Sequence, residues 1–345
     1  MAVKNKLLRV AVVGTGYFGQ YHIAAWQRMP EIDVVAICSS DALQAESTQA
    51  RFQIPKHFNN LGTMLDAVDV DLIDLVTPPA SHVSLVSECL NAGTAVICQK
   101  PFCESLEQAE QLVKLIREYD GFVAIHENFR FQPWYQHIKS IIDSGSLGDL
   151  YEIRFNLRPG DGQGPEAYLQ RQPYFQQQKR FAIQETGIHF IDVFRFLFGE
   201  VSGLFAKLSK LNPVIAGEDA GIVVLQFQNG ARGILNINRL SDHCATDLRR
   251  TMGELSVEGS QGTVHLNGDG QITFRAHGDV ELKQHDFAWQ DIDFGGDCVY
   301  TTNRHIVDHL LYQKPVHNLA ADYLINRRIE EKVYASSAAG QWLEM

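Results

Sequence analysis

The sequence lacks the features that mark several large classes of protein. Its net charge is −11, so it has no basic excess, which argues against a nucleic-acid partner. No apolar run approaches the roughly 20 residues of a membrane span. The N-terminal apolar run after Lys4, Lys6 and Arg9 ends in a glycine turn without a small-residue cleavage pattern. We therefore expect neither a signal peptide nor a membrane partner.

Cysteine is sparse, and its spacing shows no CxxC pair or other metal-binding pattern. The cysteines in apolar segments are typical of small core residues. We expect a reduced, cytoplasmic protein with no metal site. The six positions are Cys38, Cys89 and Cys98 in apolar segments, and Cys103, Cys244 and Cys298 elsewhere.

What is present is an ordinary globular composition, 45% hydrophobic and 21% charged, with no internal repeat or low-complexity tract. A chain of 345 residues is long enough for about two domains.

The first strong motif is a glycine-rich turn after the apolar run Leu7–Val13. Gly14, Gly16 and Gly19 have the GxGxxG spacing.

In such a turn the first glycine allows a sharp bend, the second lets a pyrophosphate approach the backbone, and the third lets helix and strand pack closely. The N-terminus of the following helix then offers N–H donors to the phosphates. The turn therefore predicts a dinucleotide site, with a plain strand-to-helix turn as the structural alternative.

Short apolar runs alternate with helical patterns from residue 7 to about 126. The runs are mostly continuous, as in strands that are covered on both faces. This β-α order predicts a doubly wound parallel sheet that binds its ligand at the carboxyl edge of the strands. The predicted strands are Val10–Val13, Val34–Cys38, Leu72–Val76, Ala95–Cys98 and Phe122–Ile125, and the predicted helices are His22–Arg28, Ala42–Phe52, Met64–Val68, Ser81–Leu90 and Leu106–Tyr119.

The pattern changes in the second half. An alternating strand at Leu150–Leu157 leads into the irregular segment Arg158–Pro165 and then into an apolar helix at about Thr186–Phe198. Several strands follow, two of them joined by the hairpin signal Asn229-Gly230. We predict an α+β domain on an open antiparallel sheet. Its other strands are Leu204–Leu211, Ala220–Phe227, Ala231–Leu240, Glu254–Glu258, Thr263–Leu266 and Ile272–Ala276, and its other helices are Trp134–Asp143, Val299–Tyr312 and Ala321–Ser336.

The choice between NAD and NADP normally depends on a residue about 20 positions beyond the glycine turn. Ser39 stands where an acid to the ribose hydroxyls is expected, and a serine does not repel a 2′-phosphate. No Arg or Lys follows nearby to hold that phosphate, and Asp41 is close enough to reach a ribose. The cofactor is thus NAD or NADP, with a slight preference for NAD.

Two further motifs indicate proton-transfer chemistry. Lys100 follows a predicted strand at the carboxyl edge of the sheet, and Pro101 fixes its backbone. Glu185 and His189 lie four residues apart on a predicted helix, with Asp192 three residues beyond. A His–carboxylate pair on a buried face can relay a proton. A surface turn at Lys100 and a buried, satisfied histidine are the structural alternatives, and the absence of a third ligand disfavours zinc.

Taken together, these motifs resemble the glucose-fructose oxidoreductase/inositol dehydrogenase (Gfo/Idh/MocA) family over nearly the whole chain. The glycine turn, Thr77-Pro78-Pro79 with His82, Gln99-Lys100-Pro101 and Glu185-x-Gly187-x-His189-x-x-Asp192 occur in the family's order and spacing. The resemblance implies a Rossmann domain, which we place at 1–127, and an α+β domain for substrate binding and oligomerisation at 128–345.

The resemblance also implies a function. Members oxidise a sugar or polyol hydroxyl with NAD(P), or reduce the carbonyl. Lys100 and His189 would relay the hydroxyl proton while hydride passes to the nicotinamide, and Glu185 stands in place of the family's usual aspartate. Gln99 replaces the usual glutamate of the Glu-Lys-Pro motif, which removes a charge beside the lysine. We expect an active enzyme.

Side chains at the domain junction and in the irregular segment predict the substrate site. Polar groups beside aromatic faces suit a polyhydroxylated ligand, although an ordered surface loop or an oligomer contact has the same composition. The pattern is similar to the family's aldose dehydrogenases, among them the D-apiose type, whose product is a lactone. The predicted substrate residues are Lys100, Arg130, Asn156, Arg158, Tyr168, Arg171, Glu185 and His189.

The prediction for the cofactor site covers the turn and the strand ends. The predicted cofactor residues are Gly14, Gly16, Tyr17, Phe18, Gly19, Ser39, Ser40, Asp41, Thr77, Pro78, His82, Gln99, Lys100 and Asn128. Two other functions stay open: an NADP-dependent carbonyl or sugar reductase, and a non-catalytic dinucleotide-binding regulator. The open sheet predicts a homodimer or homotetramer.

Overall fold

The computed structural model describes residues 7–345, so Lys4 and Lys6 of the signal-peptide argument lie outside the described residues. The chain divides into two compact units. The first contains the residues up to Asn128 together with Val299–Ile325, and the second contains Phe129–Cys298 and Asn326–Met345. The predicted boundary lies one residue from the division after Asn128, but the structure assigns 299–325 to the first unit instead of the second domain.

The first unit is built on a six-stranded, all-parallel sheet with the order β3-β2-β1-β4-β5-β6. The order reverses between β1 and β4, and this is the point where α/β sheets of this kind bind their ligands. The predicted doubly wound sheet is confirmed. Its strands are β1 (Leu8–Val13), β2 (Ile32–Cys38), β3 (Lys56–Phe58), β4 (Leu72–Leu75), β5 (Ala95–Gln99) and β6 (Val123–His126).

The helices of this sheet connect successive strands, and the predicted bounds agree with them to within a few residues. They are α1 (Gly19–Gln27), α2 (Ala42–Phe52), α3 (Leu61–Ala67), α4 (His82–Asn91) and α5 (Leu106–Glu118). The strand β3 is three residues long and mostly exposed, so it carries no apolar run that a sequence pattern could reveal.

The late segment 299–325 joins the first unit through packing. Ile306 and Val307 are buried in the same hydrophobic cluster as Val10, Trp26 and Ile97. The carbonyl oxygen of Asn318 also accepts a hydrogen bond from the backbone N–H of Ile125 at 2.7 Å. These contacts join residues about 190 to 300 positions apart in the sequence, which explains why local periodicity cannot assign the segment to a domain.

The second unit is built on a nine-stranded sheet with the order β14-β13-β12-β11-β7-β10-β9-β8-β15. The sheet is mixed, because β7 and β10 pair in parallel while the other neighbours are antiparallel. Its strands are β7 (Leu150–Leu157), β8 (Val201–Ser209), β9 (Ala220–Phe227), β10 (Arg232–Asn238), β11 (Gly253–Gly259), β12 (Gly262–Leu266), β13 (Ile272–Ala276), β14 (Lys283–His285) and β15 (Leu343–Glu344).

The Asn229-Gly230 turn joins β9 to β10 as predicted, and Gly230 adopts a φ of 89°. The remaining helices are α6 (Pro133–Asp143), α7 (Ile188–Phe198), α8 (Cys298–Tyr312) and α9 (Ala320–Ala339). A π-helical segment, Ala182–Gly187, runs directly into α7. Within residues 7–345, no helix combines the length and the apolar character required to cross a membrane.

Candidate active site

The three glycines of the turn occupy different environments. Gly14 has a φ of 106°, and a Cβ there would lie 2.2 Å from the carbonyl oxygen of Val76. A Cβ on Gly19 would lie 2.4 Å from the carbonyl oxygen of Gly14. Around Gly16, in contrast, no described atom lies within 4 Å of a built Cβ. Packing therefore requires the first and third glycines, whereas the second borders open space that a ligand's phosphates can enter.

The helix after the turn presents its N-terminus in a form suited to an anion. Among the described residues, no side chain caps α1 at Phe18, and its first turn carries no acidic residue. The first N–H groups of a helix have no intrahelical acceptor, and the helix dipole favours negative charge there. The uncapped N-terminus of α1, together with the open space at Gly16, fits the pyrophosphate of a nicotinamide dinucleotide.

The predicted ribose end of the site lies after β2. Ser39 is mostly buried, and its backbone N–H donates to the carbonyl oxygen of Phe58 at 3.0 Å. The exposed Asp41 caps α2 by accepting a 3.0 Å hydrogen bond from the N–H of Gln44. Ser40 is exposed as well. Their contacts to a cofactor remain predictions.

Lys100 follows β5 at the carboxyl edge of the parallel sheet and is half-buried. Its peptide bond to Pro101 is cis. The side-chain oxygen of Gln99 accepts the backbone N–H of Lys100 at 2.8 Å. Because β5 neighbours β4 in the sheet, Lys100 lies one strand away from the β1/β4 switch point.

His82 links two of the predicted cofactor segments. Its Nδ1 lies 3.0 Å from the carbonyl oxygen of Phe102, and its Nε2 lies 2.8 Å from that of Thr77. The ring is fully buried, and burial lowers its pKa. His82 therefore holds the Thr77-Pro78 segment to the turn after Lys100, and an effect of His82 on a cofactor would act through these segments.

The cysteines of the first unit behave as core residues. Cys38, Cys89 and Cys98 are all buried. Burial raises the pKa of Cys38 to about 11 and that of Cys89 to about 12. The prediction that these three are small core residues is confirmed.

His189 lies on α7 in the second unit and is 5% exposed. Its ring stacks on Phe129 at a centroid distance of 3.9 Å and an angle of 4°. Glu185 is half-buried and belongs to the π-helical segment. Glu185 and His189 therefore do not lie on successive turns of one α-helix, as the sequence predicted. The wider π turn changes the angle between positions 185 and 189.

Asp192 holds Arg130 and Asn326. Arg130 donates to the two carboxylate oxygens at 2.6 and 2.5 Å, and the side-chain amide of Asn326 donates at 2.7 Å. Asp192 is fully buried, and Arg130 is also buried, with its guanidinium 5.3 Å from the ring centroid of Phe196. This bidentate pair fixes Arg130 in place, and its predicted contact to substrate is untested.

The irregular segment is held by Arg239, which the sequence analysis missed. Arg239 donates to both carboxylate oxygens of Asp161 at 3.1 and 2.7 Å, to the Tyr168 hydroxyl at 2.9 Å and to the Thr186 hydroxyl at 2.8 Å. Burial raises the pKa of Tyr168. A lone arginine after a strand gives no sequence signal, because its partners lie up to 78 residues away.

The remaining predicted substrate residues differ in exposure. Arg158 donates to the carbonyl oxygens of Leu157 and Asn236, both at 2.8 Å, and burial lowers its pKa. Asn156 is half-buried on β7. Arg171 is exposed and lies 3.5 Å from Asp161.

Glu218 was also missed, and it anchors the start of the π-helical segment. Its Oε1 accepts the N–H groups of Phe181 and Ile183 at 3.1 and 3.0 Å and the Tyr334 hydroxyl at 2.7 Å. One buried carboxylate thus satisfies backbone donors at the beginning of the segment that carries Glu185.

Comparison with known proteins identifies the family. Residues 8–126 match GFO/IDH/MocA, described as an oxidoreductase family with an NAD-binding Rossmann fold, and residues 135–265 match the GFO/IDH/MocA C-terminal domain. The chain belongs to the GFO/IDH/MocA family. The resemblance drawn from the motifs is confirmed, and with it an oxidoreductase that carries an NAD-binding Rossmann domain.

Relatives of this GFO/IDH/MocA protein include two named D-apiose dehydrogenase. The one from Paraburkholderia graminis is 32% identical over 264 residues, which cover 76% of this chain and 68% of that protein. The one from Rhizobium rhizogenes is 28% identical over 346 residues, covering 98% and 97%. A solved oxidoreductase from Agrobacterium radiobacter in complex with NAD⁺, L-tartaric acid and magnesium aligns with a TM-score of 0.87 at 27% identity, covering 98% of each chain.

Proposed function

We propose that this protein is an NAD-dependent dehydrogenase that oxidises a hydroxyl of an aldose, giving the lactone, with D-apiose as the first candidate. The observation that carries the proposal is the position of Lys100 at the end of β5, one strand from the switch point. The open space at Gly16 and the uncapped start of α1 support a bound dinucleotide. Two relatives named D-apiose dehydrogenase support the substrate class.

Oxidation of the anomeric hydroxyl of a cyclic aldose to the carbonyl of a lactone removes one hydride from carbon and one proton from oxygen. A bound nicotinamide supplies the hydride acceptor. We assign the proton to Lys100 and His189, which would hold the hydroxyl oxygen of the sugar and carry its proton away. Glu185, half-buried four residues before His189, would accept hydrogen bonds from further hydroxyl groups.

The proposed substrate contacts fall into two groups. Asn156, Arg171 and Glu185 are partly or fully exposed, so their polar groups can bind sugar hydroxyls directly. Arg130, Arg158 and Tyr168 already hold protein partners, and we propose that they mainly fix the shape of the pocket wall.

The preference for NAD over NADP is also a proposal. Asp41 is exposed beside the predicted ribose position, and its negative charge would repel a 2′-phosphate. We further propose a cytoplasmic enzyme that forms a homodimer or homotetramer through the nine-stranded sheet.

The test is reduction of NAD⁺ or NADP⁺, followed by absorbance, over a panel of pentoses, hexoses and polyols that includes D-apiose. The proposal predicts turnover with at least one aldose and a higher kcat/KM with NAD⁺ than with NADP⁺. Faster reduction of a sugar carbonyl by NADPH would instead identify a reductase. Cofactor binding without turnover of any compound would identify a non-catalytic regulator.

A further inference from the structure

A chain of buried hydrogen bonds lies behind Lys100 in the first unit. The side chain of Gln99 bonds the Lys100 backbone N–H through Oε1 at 2.8 Å, and its Nε2 lies 3.2 Å from Nε2 of His22. Nδ1 of His22 in turn lies 2.7 Å from Oδ2 of Asp74. His22 and Asp74 are fully buried and Gln99 is 8% exposed, so the chain is shielded from solvent.

The direction of every bond in this chain follows from one fixed donor. A backbone N–H can only donate, so the Gln99 atom that faces Lys100 must be the amide oxygen. The amide nitrogen then faces His22 and donates, which requires an unprotonated Nε2 on the imidazole. The remaining proton of a neutral His22 is on Nδ1, where it faces the Asp74 carboxylate.

Asp74 provides a fixed end for the chain. Its Oδ2 also accepts the indole N–H of Trp26 at 2.7 Å. Burial alone would raise the pKa of Asp74, but the hydrogen bonds from His22 and Trp26 act against burial, and the pKa is lowered. A buried carboxylate held by two donors does not reorient easily, because moving it would leave a charge without partners.

We propose that His22 and Gln99 are positioning residues for Lys100: they fix the peptide of Lys100 to the rigid Asp74 anchor and so aim its side chain. The kinetic part of this inference rests on the proposed function, because it assigns Lys100 to proton transfer. This series of hydrogen bonds also explains why position 99 is a glutamine, because a glutamate has no N–H to donate to a neutral His22.

The other groups around His22 are compatible with a neutral ring. The ring of His126 lies at a centroid distance of 4.1 Å, and its Nε2 lies 3.1 Å from the side-chain oxygen of Asn303. Burial lowers the pKa of His126 to about 3, so this neighbour is neutral at ordinary pH. Phe18, at 5.4 Å, is apolar.

The kinetic test compares three variants of the full-length enzyme. Gln99→Met keeps the side-chain length but removes both bonds, and it should lower kcat roughly tenfold to a hundredfold while the Kd for NADH stays within twofold, because displaced reacting groups slow turnover by about that much. Gln99→Glu keeps the acceptor for Lys100 and should retain more kcat than Gln99→Met. Gln49→Met, the matched control, removes the two hydrogen bonds that the half-buried side chain of Gln49 makes to Pro55 and His57, outside this hydrogen-bond chain, and should leave kcat unchanged.

The second readout is independent of turnover. Imidazole ¹⁵N spectra of histidine-labelled protein, with His22 assigned through His22→Asn, should show a neutral ring protonated on Nδ1 in the wild type. In Gln99→Glu the same ring should become an imidazolium, because two carboxylates then face it. An Nε2–H or charged His22 in the wild type would overturn the inference, as would equal kcat in Gln99→Met and Gln49→Met. If no sugar is turned over, the proposed function fails, and the spectra alone decide this inference.

Discussion

The glycines of the turn illustrate how one sequence motif serves two purposes. Gly14 and Gly19 are required by the fold, since a Cβ at either position would lie within 2.4 Å of a carbonyl oxygen. Gly16 meets no described atom within 4 Å, so its lack of a side chain is useful only for something that approaches from outside. The spacing predicted a separate role for each glycine, and the Cβ distances agree with the packing roles of Gly14 and Gly19, while the contact of Gly16 with a phosphate stays a prediction.

Alanine substitutions should separate these roles in solution. Gly16→Ala should leave the Tm nearly unchanged and weaken NADH binding at least tenfold, because the new methyl group occupies the approach of the pyrophosphate. Gly14→Ala should lower the Tm, because it adds a steric clash and strain at a φ of 106°. Thermal unfolding and fluorescence titration with NADH measure both effects. Unchanged NADH affinity in Gly16→Ala would argue against a dinucleotide at this turn.

A second residue-scale prediction concerns His126 and acid stability. Burial lowers the pKa of His126 in the folded protein to about 3, whereas an unfolded histidine titrates near 6.5. Between these values the unfolded chain binds more protons, so the contribution of His126 to stability is complete above about pH 6.5 and is lost as the pH falls. The slope approaches about 1.4 kcal/mol per pH unit.

Urea unfolding between pH 7.5 and pH 5 tests this. His126→Gln keeps an N–H for Asn303 and should lose less stability over this range than the wild type. His57→Gln alters an exposed histidine and serves as the control, with the wild-type slope expected. Identical slopes for His126→Gln and the wild type would contradict the assignment.

At the scale of residues, the sequence indicates positions that depend on local order and misses pairs whose members are distant, and the role of Lys100 stays a prediction. Lys100 was identified because it follows a strand end. The Asp74–His22 pair was missed because its members are 52 residues apart, although one carboxylate inside the apolar run Leu72–Val76 was an available signal that a buried partner exists.

At the scale of elements, the segment that leads into α7 departs most from prediction. The apolar pattern predicted one α-helix from about Thr186, but Ala182–Gly187 is π-helical and α7 begins at Ile188. Glu218 holds the beginning of the π-helical segment, and Arg239 holds Thr186 near its end. Both anchors come from the later strands and loops, which explains why helical periodicity could not reveal the wider turn.

Arg239 couples this segment to the irregular one through Asp161 and Tyr168, and its side chain is 1% exposed. Arg239→Lys keeps the positive charge but loses the planar guanidinium that donates to several acceptors at once. It should therefore loosen the π-helical segment and the irregular segment. We expect faster tryptic cleavage after the exposed Arg171 and a several-fold higher KM for the sugar, with an unchanged Kd for NADH. Arg249→Lys, at an exposed arginine, should change none of these values. Wild-type proteolysis and KM in Arg239→Lys would contradict a role in holding the loop.

At the scale of the whole molecule, the order of the elements was largely predictable and their assignment to units was not. Continuous apolar runs between helices predicted the parallel sheet correctly. The elements α2, β7, β9 and β13 have the predicted bounds. The parallel pairing of β7 with β10 and the packing of α8 into the first unit depend on contacts distant in sequence. Neither leaves a periodic pattern in the chain.

The proposed function depends on Lys100, which we assign to proton transfer in a sugar dehydrogenase. The most direct measurement compares wild type and Lys100→Met with NAD⁺ and the best aldose, with NADH affinity measured in parallel. The variant keeps the length of the side chain but loses the amine. We expect kcat to fall at least a hundredfold while the Kd for NADH stays within about twofold, since general acid–base catalysis contributes about 10²–10⁴-fold. Turnover at the wild-type rate in Lys100→Met would contradict it.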